Sequence, residues 1–177
     1  MRERIVIRSP EQNTDSRRDN LAHAPEVQQL IIEEMARLGI TPQKYPRAID
    51  LAAGNGSFAT EILLPQKWQA RDITNVDIAI PNPDISPGTR WLYLNLEQLG
   101  HTLSSRGELP REILSEQGNH DFGSEESGFD IHQHIDYLAD FFLRKGGVFW
   151  TVSGRHRLLR PRIGRWRQTG PFFFEKE

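Results

Sequence analysis

Residues 50–56, Asp50-Leu51-Ala52-Ala53-Gly54-Asn55-Gly56, are the part of the chain best suited to chemistry. An apolar stretch ends in an acid, a short Ala/Gly loop follows, and a helix-like segment starts at Ser57. Gly54 and Gly56 can take positive φ and let a ligand lie against bare main chain. The helix start behind them offers free N–H groups and the positive end of a dipole. A strand, glycine turn and helix in this order hold small polar ligands, often nucleotide-like ones. A second cluster is His132-Gln133-His134-Ile135-Asp136. On a strand, alternate residues share one face, so its two histidines and its acid would converge. Three readings are open: a solvated polar strand tip, a general base (His134 with Asp136), and a metal site. The first ranks highest, and no metal is assigned. A third feature is the basic tail Arg155, Arg157, Arg160, Arg162, Arg165 and Arg167, with Trp166 available for stacking. It suits nucleic-acid phosphates, but a solvated edge offsetting the acidic 108–140 segment ranks somewhat higher.

These groups need a scaffold, and the composition bounds it. At 177 residues and 37% hydrophobic content the chain has the length of one domain. It has no cysteine, which excludes disulfides, thiolate metal sites and cysteine nucleophiles. No apolar run nears the ~18 residues that cross a bilayer, and the N-terminus lacks a signal-peptide core. The expectation is a soluble, cytoplasmic protein. Charge is uneven despite a net charge of −2. Residues 108–140 are strongly acidic and read as a solvated face and loop, whereas residues 141–174 contain no acid.

Residues 1–24 read as a polar N-terminal segment with a short strand at Ile5–Ile7, and residues 25–177 as a single domain. Val27, Leu30, Ile31, Met35 and Leu38 follow helical spacing from Pro25 to Leu38, with Pro25 at the first position and Gly39 past the end. Strands are expected at Ala48–Leu51, Asp72–Ile80 and Trp91–Leu96. A helix is expected at Ser57–Leu64 and another near Pro110–Gln117. Gly118–Gly128 reads as a mobile polar loop. Residues 129–134 read as a fourth strand, Asp136–Arg144 as a helix, and Val148–Ser153 as a strand. Arg165–Gln168 and Phe172–Glu175 form a hairpin turning at Thr169-Gly170. Strands alternating with helices predict an α/β fold with a mainly parallel sheet, read as a Rossmann-like three-layer sandwich.

Asp50-Leu51-Ala52-Ala53-Gly54-Asn55-Gly56 resembles the first motif of the class I S-adenosylmethionine-dependent methyltransferases, D/E-x-G-x-G-x-G, with Ala52 where the first glycine is usual. Asn75-Val76-Asp77-Ile78, 21 residues from Gly56 to Asp77, resembles the family's second strand with its ribose-binding acid. Asn95-Leu96 resembles the end of the third strand, where the family contacts adenine. Phe129-Asp130-Ile131 resembles the opening of the fourth strand, and Leu143-Arg144-Lys145-Gly146-Gly147-Val148 the turn before the fifth. The resemblance spans roughly residues 25–153 and implies S-adenosylmethionine as cofactor, held by Asp50, Ala52, Gly54, Asn55, Gly56, Asp77, Ile78, Asn95 and Leu96. It places His134 and Asp136 on the acceptor side. Two intervals are short for the family, Asp130 to Gly146 and the 24 residues after Ser153, so the resemblance implies a shortened C-terminal part.

The chain therefore reads as a methyltransferase of unknown acceptor, a small molecule or a nucleic acid. The alternative is a non-catalytic methyltransferase-like partner or nucleic-acid adaptor, completed by another protein or a second copy. A third reading is a nicotinamide-dependent oxidoreductase, since Gly54–Ala59 also matches G-x-G-x-x-A. Nicotinamide-binding domains usually carry an apolar residue where Asp50 stands. The motif of amino-methylating DNA enzymes is absent: Asn82-Pro83-Asp84 does not match it.

Overall fold

A computed structural model describes residues 25–54, 56–78, 88–125, 134–151 and 166–177. Helix α1 (Pro25–Arg37) buries Ile31 and Met35 one turn apart. Gly39 ends it at φ +66°, and Ile40 N donates back to Met35 O at 2.8 Å, a left-handed cap bond. Leu30, part of the expected apolar stripe, is 64% exposed.

Seven strands form one sheet: β1 (Ala48–Leu51), β2 (Ile73–Asp77), β3 (Arg90–Tyr93), β4 (His120–Glu125), β5 (Leu143–Thr151), β6 (Trp166–Gly170) and β7 (Phe173–Lys176). Their order is β3-β2-β1-β4-β5-β7-β6. The first five are parallel, and β7 runs antiparallel to both β5 and β6. Among the described residues, helices α2 (Leu96–Ser104), α3 (Arg111–Leu114) and α4 (Ile135–Phe142) complete the regular elements with a π-helix at Ala59–Leu63 and a short 3-10 turn at Ala70–Asp72.

Alternation along the central strands divides the core in two. Ile49, Leu51, Val76 and Phe149 pack with Leu99 of α2 and Leu138 and Phe142 of α4. Ala48, Ile73, Phe122 and Trp150 pack with Ile31 and Met35 of α1 and with Phe58 and Ile62 around the π-helix. The result is the three-layer α/β sandwich with a mainly parallel sheet.

Several expected elements move. The strand between β1 and β5 is His120–Glu125, inside the segment expected as a mobile loop. Residues 126–133, which include most of the expected fourth strand and the Phe129-Asp130-Ile131 resemblance, lie outside the described residues. The acidic run is not a solvated face: Glu116, Asp121 and Glu125 are buried. The third strand stops at Tyr93, and Leu96 opens α2. The Pro110–Gln117 helix shrinks to one turn, and the helix expected from Asp136 to Arg144 ends at Phe142 as β5 begins at Leu143. The C-terminal hairpin forms, but Thr169-Gly170 ends β6 and the turn is Pro171-Phe172, and both closing strands fit within residues 166–177. The Ile5–Ile7 strand lies outside the described residues.

Candidate functional site

In an open parallel sheet, ligands bind beyond the carboxyl ends of the strands, where the strand order reverses. Here that point lies between β1 and β4, the two strands from which the chain winds outward in opposite directions. The loop leaving β1 at this edge is the glycine-rich one.

Its backbone is held in left-handed conformations, with Ala52 at φ +57°, Gly54 at +58° and Gly56 at +82°. Glycine takes such angles freely. For Ala52 the left-handed region costs about 1–2 kcal/mol, so the loop carries strain where the family motif would have glycine. A main-chain bond ties it to the end of β2, Ala53 N donating to Val76 O at 3.0 Å, and one within the loop closes its turn, Gly56 N donating to Ala53 O at 2.8 Å. Gly54 N donates to Asp77 Oδ2 at 2.7 Å. Ile78 N donates to Asp77 Oδ1 at 2.7 Å. Asp77 is the last residue of β2, so both oxygens of its carboxylate are oriented by backbone amides.

Asp50 sits one residue before the end of β1, 3% exposed, and accepts a bond from Ser124 Oγ of β4 at 2.8 Å. It ties the two central strands together directly beneath the loop. Tyr93 is the ladder partner of Asp77, and its ring stacks on that of Trp91 with centroids 6.3 Å apart. Parallel-ladder partners share a face, so an aromatic pair stands beside the carboxylate.

Sequence reasoning missed Glu125. It ends β4, faces Leu51 across the ladder and is fully buried. Thr151 Oγ1 of β5 donates to its carboxylate at 2.7 Å. A buried carboxylate at the switch point is a functional candidate in its own right, and no sequence signal marks it, because its segment has neither a clear period nor a motif.

The structure gathers Asp50, Ala52, Gly54, Gly56, Asp77 and Ile78 at one edge, and Asn55 lies outside the described residues. Asn95 follows β3 at the same edge and caps α2, its Oδ1 accepting from Gln98 N at 3.1 Å. Leu96 is turned into the core, 5% exposed. His134 and Asp136 are not on a strand. His134 is the residue before α4 and Asp136 lies in its first turn, so the alternating face expected for His132, His134 and Asp136 does not exist at the last two. His134 lies against Gly100 of α2, where an added Cβ would come within 2.4 Å of the His134 Cβ. Its Nδ1 is buried with no hydrogen-bond partner. Asp136 Oδ1 accepts from Tyr137 N at 3.1 Å. Of the basic tail, Arg167 lies on β6 and pairs with Glu175 across the hairpin at 3.0 Å; Arg155, Arg157, Arg160, Arg162 and Arg165 lie outside the described residues. Among the described residues no helix is long and apolar enough to cross a membrane.

The opposite edge of the sheet is built differently. Glu116 binds Arg90 and His120, with His120 Nε2 3.1 Å from Glu116 Oε2. Burial alone would raise its pKa, but the bonds from His120 and Arg90 win and hold it down at about 2. Asp121 is likewise held below its ordinary value, burial being outweighed by Arg144 and Arg47. These pairs fasten β4 into the sheet at its amino end.

The chain is similar in fold to several solved structures at low identity. A protein from Corynebacterium glutamicum shares 16% identity over 73% of this chain and 58% of its own, with a TM-score of 0.43. The CurJ carbon methyltransferase shares 16% identity over 76% of this chain and 35% of its own, with a TM-score of 0.44. A protein from Pyrococcus horikoshii shares 14% identity over 89% of this chain and 92% of its own, with a TM-score of 0.45. The chain thus spans little more than a third of the carbon methyltransferase. No protein-family profile and no curated protein matches it.

Proposed function

We propose that the chain is an S-adenosylmethionine-dependent methyltransferase. The observation that carries this reading is the carboxylate of Asp77. It stands at the tip of β2, aimed by Gly54 N and Ile78 N, beside a loop of left-handed backbone at the switch point. A carboxylate has about four lone-pair sites, so two amide bonds do not by themselves exhaust it, and two adjacent oxygens match a ribose diol. Each such bond is worth about 1.5–3 kcal/mol.

Asp50, Asp77 and Glu125 stand at or next to the carboxyl ends of β1, β2 and β4, and carboxylates accept bonds from hydroxyl and ammonium groups such as the cofactor carries. When bound, S-adenosylmethionine supplies a methyl group already activated on a sulfonium. The chain's own work is then to bind, orient and exclude water. Gly54 and Gly56 let main chain lie against the ligand. Asp50, locked by Ser124, fixes the loop's exit from β1. His134, with an unpartnered buried Nδ1, is the candidate base on the acceptor side, with Asp136 beside it in the first turn of α4. It would take a proton where the acceptor must lose one.

Strand order weighs against the nicotinamide reading. The dinucleotide fold continues as β3-β2-β1-β4-β5-β6, whereas here an antiparallel β7 lies next to β5 and β6 forms the edge. Calorimetric titration with S-adenosylhomocysteine tests the proposal. Micromolar binding that is lost in Asp77→Ala supports it. Unchanged affinity in that variant refutes it, as does a thermal shift with NAD but none with S-adenosylhomocysteine. His134→Ala should lower turnover on an identified acceptor while leaving S-adenosylhomocysteine affinity as it was.

A further inference from the structure

The basic side chains of the described residues are not spread evenly. A cleft of about 800 Å³ opens where α2, α4 and β5 meet, at the amino edge of the sheet. Its volume lies in the range of small-molecule sites. It is not part of the glycine-loop crevice: β4 runs between the two edges, which puts them roughly 17 Å apart.

Four cations line it, Arg106, Arg144, Lys145 and Lys176, against one carboxylate, Asp140. Asp140 is neutralised by Lys176, whose Nζ lies 3.1 Å from its Oδ1. The same ammonium donates to Asp140 O at 2.6 Å and to Leu143 O at 2.9 Å, which offsets the negative end of α4. Arg144 is held by Asp121. Arg106 and Lys145 have no ion-pair partner among the described residues. Leu103 and Leu143 supply apolar wall.

We propose that this cleft binds a small organic phosphate. Two unpaired cations match the double charge that a phosphate monoester carries near neutral pH, and an arginine fork suits its oxygens. The apolar wall requires a carbon body on the ligand. A concave cleft favours a compact ligand over a nucleic-acid strand, which needs an open track for its backbone. Helix α4 joins the two edges: its last turn lines the cleft through Asp140 and Phe141, and His134 precedes its first turn.

Calorimetry with phenyl phosphate at low salt tests the inference, since this probe carries no adenosine and has no reason to enter the glycine-loop crevice. Wild type should bind it saturably, more tightly than inorganic phosphate, and more weakly as salt rises. The R106E/K145E double variant changes two side chains that make no described ion pair. It should melt like wild type, bind phenyl phosphate at least ten-fold more weakly, and titrate with S-adenosylhomocysteine unchanged. No saturable binding by wild type, or undiminished binding by the variant, overturns the inference. So does displacement of phenyl phosphate by saturating S-adenosylhomocysteine. An octathymidylate that binds more tightly than phenyl phosphate and is lost in the variant also overturns it, assigning the surface to nucleic acid instead. Phenyl phosphate binding by a protein that fails to bind S-adenosylhomocysteine removes the methyl-donor reading and leaves this one standing.

Discussion

The two edges of the sheet carry the same kind of residue, buried or half-buried acids, and use them in opposite ways. At the amino edge Glu116 is paired with Arg90 and hydrogen-bonded to His120, and Asp121 is paired with Arg47 and Arg144. At the carboxyl edge the described partners of Asp50, Asp77 and Glu125 are a hydroxyl, two backbone amides and another hydroxyl. Matched charge fixes strands in place. Carboxylates oriented by backbone amides and hydroxyls at strand ends are placed to meet a ligand's polar groups. On the proposed function, the comparison separates a structural end from a binding end within one sheet.

Substitutions can break or sharpen that contrast. The largest effect is expected for Asp77→Ala, where two charge-assisted bonds are lost. S-adenosylhomocysteine affinity should fall at least a hundred-fold, about 3 kcal/mol or more, with a much smaller change in the denaturant midpoint. Glu116→Ala should do the reverse. Removing one partner of a buried cluster costs about 3–5 kcal/mol of stability, read by urea unfolding, with little change in ligand affinity where the fold survives. A stability loss as large in Asp77→Ala as in Glu116→Ala would erase the distinction between the edges.

Acid titration sharpens the same point. Glu116 is held at about 2, below its ordinary value of 4.5. A depressed folded-state pKa contributes stability that is full above the unfolded value and is lost as pH falls through the folded one. Unfolding free energy should therefore drop between about pH 4.5 and 2, and Glu116→Gln should flatten that drop. A smaller effect is expected for Gly100→Ala, whose new methyl meets His134 Cβ at 2.4 Å. Overpacking of this kind costs about 1–3 kcal/mol, visible as a lower melting temperature. The smallest is Ala52→Gly. Relief of a left-handed alanine, less the entropy glycine adds to the unfolded chain, should stabilise by about 0.5–1 kcal/mol. No change in melting temperature there would mean that the loop is not strained at rest.

What could be read along the chain was whatever is written locally. Helix α1 shows in its spacing and in Gly39, and the strands β1, β2 and β5 in their apolar runs; the hairpin was legible, but its turn falls at Pro171-Phe172, one pair beyond the glycine. The glycine loop and Asp77 stand out because turn chemistry and an acid at a strand end are local features. The boundary at Leu96 was misplaced because Asn95 stops the strand by capping a helix, and apolar residues on either side of the cap look alike.

Strand β4 shows the opposite case. His120-Asp121-Phe122-Gly123-Ser124-Glu125 reads as a polar loop. It becomes a central strand because partners for its polar groups arrive from far away in sequence. Asp121 meets Arg47 across 74 residues, and Ser124 meets Asp50 across the same interval. Glu125 meets Thr151 across 26. A buried polar group is tolerated only when it is hydrogen-bonded. The sequence by itself determined the turns, the caps and the loop that could cradle a ligand. Only the tertiary structure decided which acids would be buried, because that depends on partners that no local pattern encodes.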